Sequence, residues 1–313
     1  MSPTILGLCA VAFAVLLTPV KAVTNVPPTT IKHRFLAMDE SRAQLVYTDQ
    51  SDPAKNWAIS FPGRYRDMQL IGGNKVLIST DNGYREYSLA TKQVTKEVKG
   101  YTSITFARRR ADRTTVLGGN SNGVTVCELG ADDKLLRQAS FKFGGTRLGR
   151  LTPQGTVLFG SNTKLVEVSL AGQVIKELAP EDCKHLYQGL RKSDGHLLVS
   201  AGYGSCVLEL DADGKVLKRL GGLKAPEAKD LGYHFFGGFQ VLKNGNIVVA
   251  NWTGHGAKDS AKGVQLVEFD PTGKVVWTWH DPERTGSIHG VVVLDDLDTA
   301  VLNDDVTGLL GAQ

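Results

Sequence analysis

The sequence is poor in the residues that staple small proteins or build helical ones. It has only four cysteines and three methionines in 313 residues, and Cys9 lies in an N-terminal apolar run. The other three, Cys127, Cys183 and Cys206, can form at most one disulfide, so a Cys183–Cys206 bond and three buried thiols are both open. No stretch of ten or more residues has the apolar period of an amphipathic helix. A disulfide scaffold and a helical bundle are therefore excluded.

Strong charge of one sign is also missing. The formal net charge is +4, and acidic and basic residues alternate along the chain. The densest basic cluster, Arg108 to Arg110, is expected in an exposed hairpin rather than at a phosphate site. Without a basic stripe the chain does not have the electrostatic footprint of a nucleic-acid partner.

Long hydrophobic runs are absent except at the N-terminus. Residues 5–17 are apolar, and the following Thr18-Pro19-Val20-Lys21-Ala22 ends in a small residue. The run is too short for a bilayer of about 30 Å and suits a secretory signal peptide. We therefore predict a signal peptide over residues 1–22, a secreted or periplasmic protein, and a mature chain of residues 23–313 that forms one domain without a membrane span.

A repeat of about 40 residues runs through the mature chain. Its most regular segment is a short apolar stretch that begins at Asn74, Thr114, Gly155, Gly195 and Gly245, with starts 40, 41, 40 and 50 residues apart. Each copy contains four segments rich in β-branched residues, separated by turns that carry glycine. We name the segments a, b, c and d. A period of this length, made only of strands, predicts the blades of an all-β propeller.

Whole repeats number six when counted by segment c. The first copy lacks segment a, whereas residues 288–294 form an unpaired a-like strand near the C-terminus. We predict that this C-terminal strand completes the first blade and closes a six-bladed ring. Residues 299–302 resemble one more segment b, so seven blades are the alternative.

The best-formed repeat, residues 244–279, contains Asn-Gly-Asn-Ile-Val-Val, Trp-Thr-Gly-His-Gly and Lys-Val-Val-Trp-Thr-Trp. In these features the chain resembles bacterial secreted β-propeller proteins with PQQ-like, or quinoprotein-like, repeats, and the resemblance covers nearly all of the mature chain. It implies the fold but no reaction. The quinoprotein dehydrogenases have eight blades and tryptophan docking motifs that are missing or degenerate here. We therefore expect no PQQ and predict no cofactor.

Loops d–a and b–c of a propeller share one face around the central channel, and a ligand site should take its residues from them. We call this face the channel-mouth face, and we call the expectation that its loops supply the site the loop rule. Its candidate ligand-binding residues are Arg66, Arg147, His185, Tyr187, His234, Trp252, His255 and His289. Converging imidazoles would suit a divalent metal, and the two arginines would suit the carboxylates of a polyanionic saccharide. The alternative is that these side chains only bond to neighbouring loops and water.

Two classes of function fit these residues. The first is a binding or scaffolding module, expected to be a monomer, for a small molecule, a glycan or a protein. The second is an extracytoplasmic enzyme, either a metal-assisted hydrolase or lyase or one similar to arylsulfotransferases, with a loop histidine as base or nucleophile. No serine, histidine and carboxylate grouping can be argued from spacing. The sequence favours the binding module.

Overall fold

A computed structural model describes residues 29–63, 65–256 and 258–305. These residues form 24 strands in six antiparallel sheets of four strands each. The innermost strands of successive sheets contact one another around a closed ring. The protein is a six-bladed β-propeller, as the repeat predicts. The predicted signal peptide lies outside the described residues.

The strands follow the repeat in chain order. Blade one contains β1, β2 and β3 with the C-terminal β24, at Arg34–Asp39, Gln44–Asp49, Trp57–Ser60 and Ile288–Val293. Blade two contains β4 to β7, at Met68–Leu70, Lys75–Thr80, Gly83–Ser88 and Val94–Lys99. Blade three contains β8 to β11, at Ile104–Arg109, Thr115–Asn120, Val124–Leu129 and Leu135–Phe141. Blade four contains β12 to β15, at Gly149–Leu151, Val157–Ser161, Lys164–Val168 and Val174–Leu178. Blade five contains β16 to β19, at Gln188–Arg191, Leu197–Ser200, Cys206–Leu210 and Val216–Gly221. Blade six contains β20 to β23, at Phe235–Val241, Ile247–Trp252, Leu266–Phe269 and Val275–Trp279.

Strand b of each blade is buried on both faces, which explains its continuous apolar sequence. In β5, Val76 and Ile78 pack into the core shared with blade one, whereas Leu77 packs into the core shared with blade three. Alternate side chains of a strand point to opposite faces of its sheet. Because both faces are covered by neighbouring blades, the strand shows no polar alternation.

The ring closes as predicted. Strand β24 pairs antiparallel with β1, with Leu36 opposite Val292 and Ala37 opposite Val291. The first blade is therefore built from both ends of the described chain. This arrangement removes the free inner edge that an open ring would expose.

The chain after β24 does not form a seventh blade. Ala300 and Thr299 accept backbone hydrogen bonds from Gly73 and Asn74, and Leu302 forms a single bridge with Ile71. Residues 299–302 thus pair with the β4–β5 turn, on the face opposite the channel mouth. The prediction of one more segment b, and with it of a seventh blade, is wrong, because residues 299–302 do not join a further sheet in the described part of the chain.

The channel interior holds a buried network of two arginines and two aspartates. Arg108 lies in the inner strand β8 with no exposed surface, so its expected place in an exposed hairpin is wrong. Its Nε donates to Asp305 Oδ2 over 2.9 Å. Arg150 Nη1 lies 3.1 Å from Asp67 Oδ1, and Asp67 is also 3.5 Å from Arg108. The C-terminal segment thus brings a carboxylate that neutralises charge inside the ring.

A buried histidine links the first blade, the sixth blade and the C-terminal segment. His33 Nε2 lies 2.9 Å from Glu268 on β22, and its Nδ1 lies 2.5 Å from Asp295. Its ring also meets Trp277 edge to face at 4.6 Å. Burial alone would lower the pKa of His33, but the two carboxylates raise it to about 9. The imidazolium therefore acts as an ionic clamp where the ring closes.

The described cysteines form no disulfide, and the described helices are short. Cys127, Cys183 and Cys206 are all buried and free, which decides between the two arrangements that the sequence leaves open. Helical structure in the described part of the chain consists of short 3₁₀ turns at Pro53–Lys55 and Asp259–Lys262. Neither of these is long enough to cross a bilayer.

We expect Asp305→Asn to destabilise the propeller by about 3–5 kcal/mol, because it leaves two buried guanidinium groups with one carboxylate. Chemical denaturation measures the change. Asp296→Asn, an exposed position in the same segment, is the matched control and should change stability by less than about 0.5 kcal/mol. Equal stability of the two variants would contradict the role of the network.

The His33 clamp predicts that stability falls at alkaline pH. The folded-state pKa of about 9 exceeds the ordinary 6.5, so the clamp acts fully below pH 6.5 and is lost as pH rises towards 9. The loss is at most about 3 kcal/mol. Denaturation curves from pH 6 to 10 should show it in the wild type and in the control His196→Gln. A His33→Gln variant that keeps the same slope would refute the assignment.

Candidate functional site

A depression opens on the channel-mouth face, and its cavity measures about 100 Å³. We call it the mouth pocket. Loops from blades one, two, four, five and six contribute to it, so it exists only in the closed ring. Its walls are formed by Glu40, Arg66, Arg147, His185, Tyr187, Tyr203, Phe235, Trp252, His255 and His289.

Seven of the eight candidate residues from the sequence line the mouth pocket. The eighth, His234, lies just outside the lining, with its ring 5.7 Å from both Tyr203 and Trp252. Its Nδ1 is 3.2 Å from the Trp252 carbonyl oxygen. The loop rule therefore correctly predicts which distant parts of the chain meet at one place.

The closing strand β24 carries His289 to the base of the mouth pocket. Strand β20 approaches β24 so closely that a Cβ on Gly237 or Gly238 would lie only 2.8 or 3.1 Å from the His289 carbonyl oxygen. Two consecutive glycines at a bulge of β20 provide this space. The histidine is 2 % exposed, in contrast to the exposed His185 and His255 at the rim.

Tyr203 is held over the pocket by a close contact between two loops. Gly202 has φ of +62°, and a Cβ there would lie 2.2 Å from the Lys184 carbonyl oxygen. The Tyr203 amide donates to that same oxygen over 2.9 Å. His185 itself has φ of +57°, a strained conformation for a residue with a side chain. The two loops thus hold the rings of Tyr203 and His185 edge to face at 5.5 Å.

Aromatic rings form one wall of the mouth pocket. Phe235 meets Tyr203 at 4.8 Å and both Tyr187 and Trp252 at 5.6 Å, each edge to face. Leu148 packs beneath three of these rings. Such a wall offers apolar surface to the body of a ligand and leaves polar groups at its edges.

Arg66 and Arg147 are half-buried arginines of the pocket lining that form no ion pair with a described residue. No carboxylate of the described residues lies within 4 Å of the Arg66 or Arg147 guanidinium. Burial and the nearby Arg66 charge lower the pKa of Arg147. Partly dehydrated guanidinium groups that feel each other's charge are unfavourable unless an anion joins them. The pair therefore forms a candidate anion site.

Glu40 lies in the β1–β2 hairpin and is the acidic residue of the pocket lining. Its Oε2 accepts from Trp252 Nε1 over 2.6 Å and lies 3.2 Å from His255 Nδ1. Burial alone would raise the pKa of Glu40, but the Trp252 donor and the Arg66 charge lower it. The carboxylate is ionised at neutral pH and its lone pairs are partly used within the protein.

Two buried polar atoms of the pocket base have no regular hydrogen bond. His289 Nε2 lies 3.0 Å from the Tyr65 carbonyl oxygen, which can only accept, so Nε2 carries the proton. The unprotonated Nδ1 is buried without a partner, and the buried Tyr187 hydroxyl has only the Arg66 guanidinium beside it. Burial lowers the pKa of His289 to about 4, and burial raises the pKa of Tyr187 to about 12. Both groups are therefore neutral at physiological pH.

The imidazoles of the channel-mouth face do not form a metal cluster. Among the described residues, three ligand atoms gather within 4.8 Å only at Asp194, His196 and Glu209. Lys192 Nζ binds both carboxylates of that group, at 2.9 and 2.7 Å. The group is therefore explained by its own ion pairs and lies in blade five, away from the mouth pocket lining.

The sequence prediction missed Glu40 and Tyr203. Each follows a strand b directly or closely, β1 and β17 respectively, and so lies in a b–c loop of the channel-mouth face. Applying the loop rule to every blade would have found both. Their partners could not be found this way, because the bond from Trp252 to Glu40 joins residues 212 positions apart.

The fold is similar to several solved structures at low identity. A protein of unknown function from Bacteroides caccae is 18% identical with a TM-score of 0.72, over 85% of this chain and all of that one. A streptogramin B lyase is 13% identical with a TM-score of 0.58, over 86% and 89%. The calcium-binding protein regucalcin from Agrobacterium tumefaciens is 12% identical with a TM-score of 0.54, over 73% and 84%. These likenesses show the propeller fold alone. No family model matches the chain, and no curated protein matches it.

The tautomer and pKa of His289 can be measured directly. We expect ¹⁵N NMR of the imidazoles to show His289 protonated at Nε2 and neutral down to pH of about 4, because its ring is buried. His289→Gln assigns the signal by its disappearance. An imidazole that titrates near its ordinary value of 6.5, or one protonated at Nδ1, would contradict the described geometry.

Proposed function

We propose that this propeller is a secreted or periplasmic, monomeric binding module that holds a small organic carboxylate in the mouth pocket. The observation that carries the proposal is the pair Arg66 and Arg147, half-buried and without a carboxylate within 4 Å in the described structure. Guanidinium groups recognise carboxylates through paired, charge-assisted hydrogen bonds. A bound carboxylate would relieve the repulsion between the two arginines.

The rest of the pocket defines the body of the ligand. Tyr203 and Phe235 offer aromatic surface, and ionised Glu40 offers an acceptor for hydroxyl groups. A molecule with one carboxylate, several hydroxyls and an apolar face fits this combination, as a sugar acid does. The cavity of about 100 Å³ is smaller than the roughly 300–1,000 Å³ of pockets that enclose a whole drug-sized ligand, so it suits a small molecule or the end of an acidic glycan better than a folded protein partner.

An enzyme is the second candidate, and one observation favours it. His289 Nδ1 is buried at the pocket base without a partner, and the Tyr187 hydroxyl has only the Arg66 donor beside it, as expected for groups that bind a substrate. The similar streptogramin B lyase is an enzyme by its name. The metal-assisted form has less support, because the four histidines do not converge in the described structure, and we propose no PQQ or other cofactor.

Anion binding can be tested by isothermal titration calorimetry. The panel consists of D-galacturonate, D-glucuronate, trigalacturonate and benzoate, with methyl galacturonate as the uncharged analogue. We expect at least one carboxylate to bind, and Arg66→Gln and Arg147→Gln each to weaken it about 10- to 100-fold, because each removes a charged hydrogen bond worth about 1.5–3 kcal/mol.

Arg137→Gln is the matched control. This arginine lies on the outer strand β11, pairs with Glu128 and is 56% exposed. It should leave affinity unchanged. Binding of the methyl ester as tightly as the acid, or no binding by any carboxylate of the panel, would refute the proposed function.

A further inference from the structure

We propose that the mouth pocket removes a proton from the carbon next to the bound carboxylate, with His289 as base and Tyr187 as proton donor, and so catalyses β-elimination. The inference rests on the proposed carboxylate binding. It adds a reaction and a substrate class: carboxylates that carry an oxygen leaving group on the β-carbon.

His289 has the geometry of a general base. Its Nε2–H is committed to the Tyr65 carbonyl oxygen at 3.0 Å, which fixes the ring and leaves the lone pair on Nδ1. That atom is buried, has no partner and belongs to a residue of the pocket lining. A structural histidine at 2 % exposure would normally use both nitrogens, because an unpaired buried polar atom costs about 1–3 kcal/mol. The unused lone pair points to a group supplied by a ligand.

Tyr187 complements the histidine. The two rings lie 6.2 Å apart, nearly perpendicular, so one small molecule can reach both. Its hydroxyl is buried without a regular hydrogen bond. Arg66, whose charge acts most strongly on this hydroxyl, can only donate, so the hydroxyl proton has no acceptor in that contact. The pKa of about 12 keeps the proton in place until an oxygen of the ligand takes it.

The arginines supply the electrostatic part of the reaction. Removing a proton next to a carboxylate develops a second negative charge on its oxygens, and fixed positive charges stabilise that enediolate. The same charges help to keep the free imidazole neutral, because Arg66 and Arg147 both lower the pKa of His289. A bound carboxylate offsets them, so the base becomes stronger when the substrate arrives.

The step balances without an oxidant or an added group. The C–H bond breaks, its proton moves to His289 Nδ1, and its electron pair enters the carboxylate as the enediolate. The pair then forms the carbon–carbon double bond while the bond from the β-carbon to oxygen breaks. Tyr187 gives its proton to the leaving oxygen and recovers one, through solvent, from the protonated His289.

Uronic acids joined through the oxygen on the β-carbon meet every requirement. They carry the carboxylate, the acidic C–H and the leaving oxygen in one unit. Their hydroxyls suit Glu40, and their apolar ring faces suit Tyr203 and Phe235. The substrate class is therefore an acidic oligosaccharide, and the product is an unsaturated uronate together with a shortened sugar chain.

The test separates proton removal from bond cleavage. Each uronate of the panel that binds is incubated with the full-length protein in D₂O, and exchange of the C–H next to the carboxylate is followed by ¹H NMR. Trigalacturonate is also assayed for the ultraviolet absorbance of an unsaturated product. We expect exchange with bound uronates and cleavage of trigalacturonate. His289→Gln should slow both at least about 100-fold while affinity stays within about threefold.

Tyr187→Phe should slow cleavage at least about tenfold more than exchange, because it removes only the proton donor. His196→Gln, a partly exposed site in blade five outside the mouth pocket lining, is the control and should match the wild type. Melting temperatures of all variants check the fold, and Tyr187→Phe carries the test if His289→Gln does not fold. Tight uronate binding without exchange, exchange that survives in His289→Gln, or binding of benzoate alone would overturn this inference and leave the binding function intact. Absence of carboxylate binding would instead overturn the proposed function.

Discussion

The pairing of β24 with β1 is the interaction on which both the fold and the candidate site depend. It joins the two ends of the described chain in one blade and removes the free inner edge. The same strand carries His289 to the base of the mouth pocket, where β20 packs against its backbone through two glycines. Without this closure, blade one would lose its inner strand, and the mouth pocket would lose the buried imidazole of His289. Stability and the candidate chemistry therefore arise from one closure.

The central channel contains two pairs of arginines, and their difference is informative. Arg108 and Arg150 are fully buried and are balanced by Asp67 and Asp305. The other pair at the channel mouth has no carboxylate within 4 Å in the described structure. Burying guanidinium groups is costly in both places, and the chain neutralises the charge in one place only. The channel mouth keeps positive charge where a ligand can reach it.

Much of this architecture could be predicted from the sequence, and the reasons are physical. Blade number and ring closure follow from a strand period that local turn chemistry repeats six times. The loop rule, which depends only on strand direction, found most of the pocket lining. It could not show that His289 is buried while His255 is exposed, because that difference comes from the packing of β20 against β24. Nor could it place Arg108, whose partner Asp305 is 197 residues away. Composition predicted a solvated basic hairpin, because the sequence alone does not show which residues face the central channel.

Charge in the mouth pocket is separated in a way that orients what enters it. Glu40 is anchored by the Trp252 indole at 2.6 Å, close enough to Arg66 to feel its charge but not within 4 Å of it. A direct ion pair would cancel both groups and leave a neutral surface. Held apart, they present an acceptor on one side and donors on the other. An anionic ligand is repelled by the first and attracted by the second, so its carboxylate turns towards the arginines. The buried, unpaired Nδ1 of His289 lies at the base of the same pocket, where the proposed orientation would place the adjacent carbon.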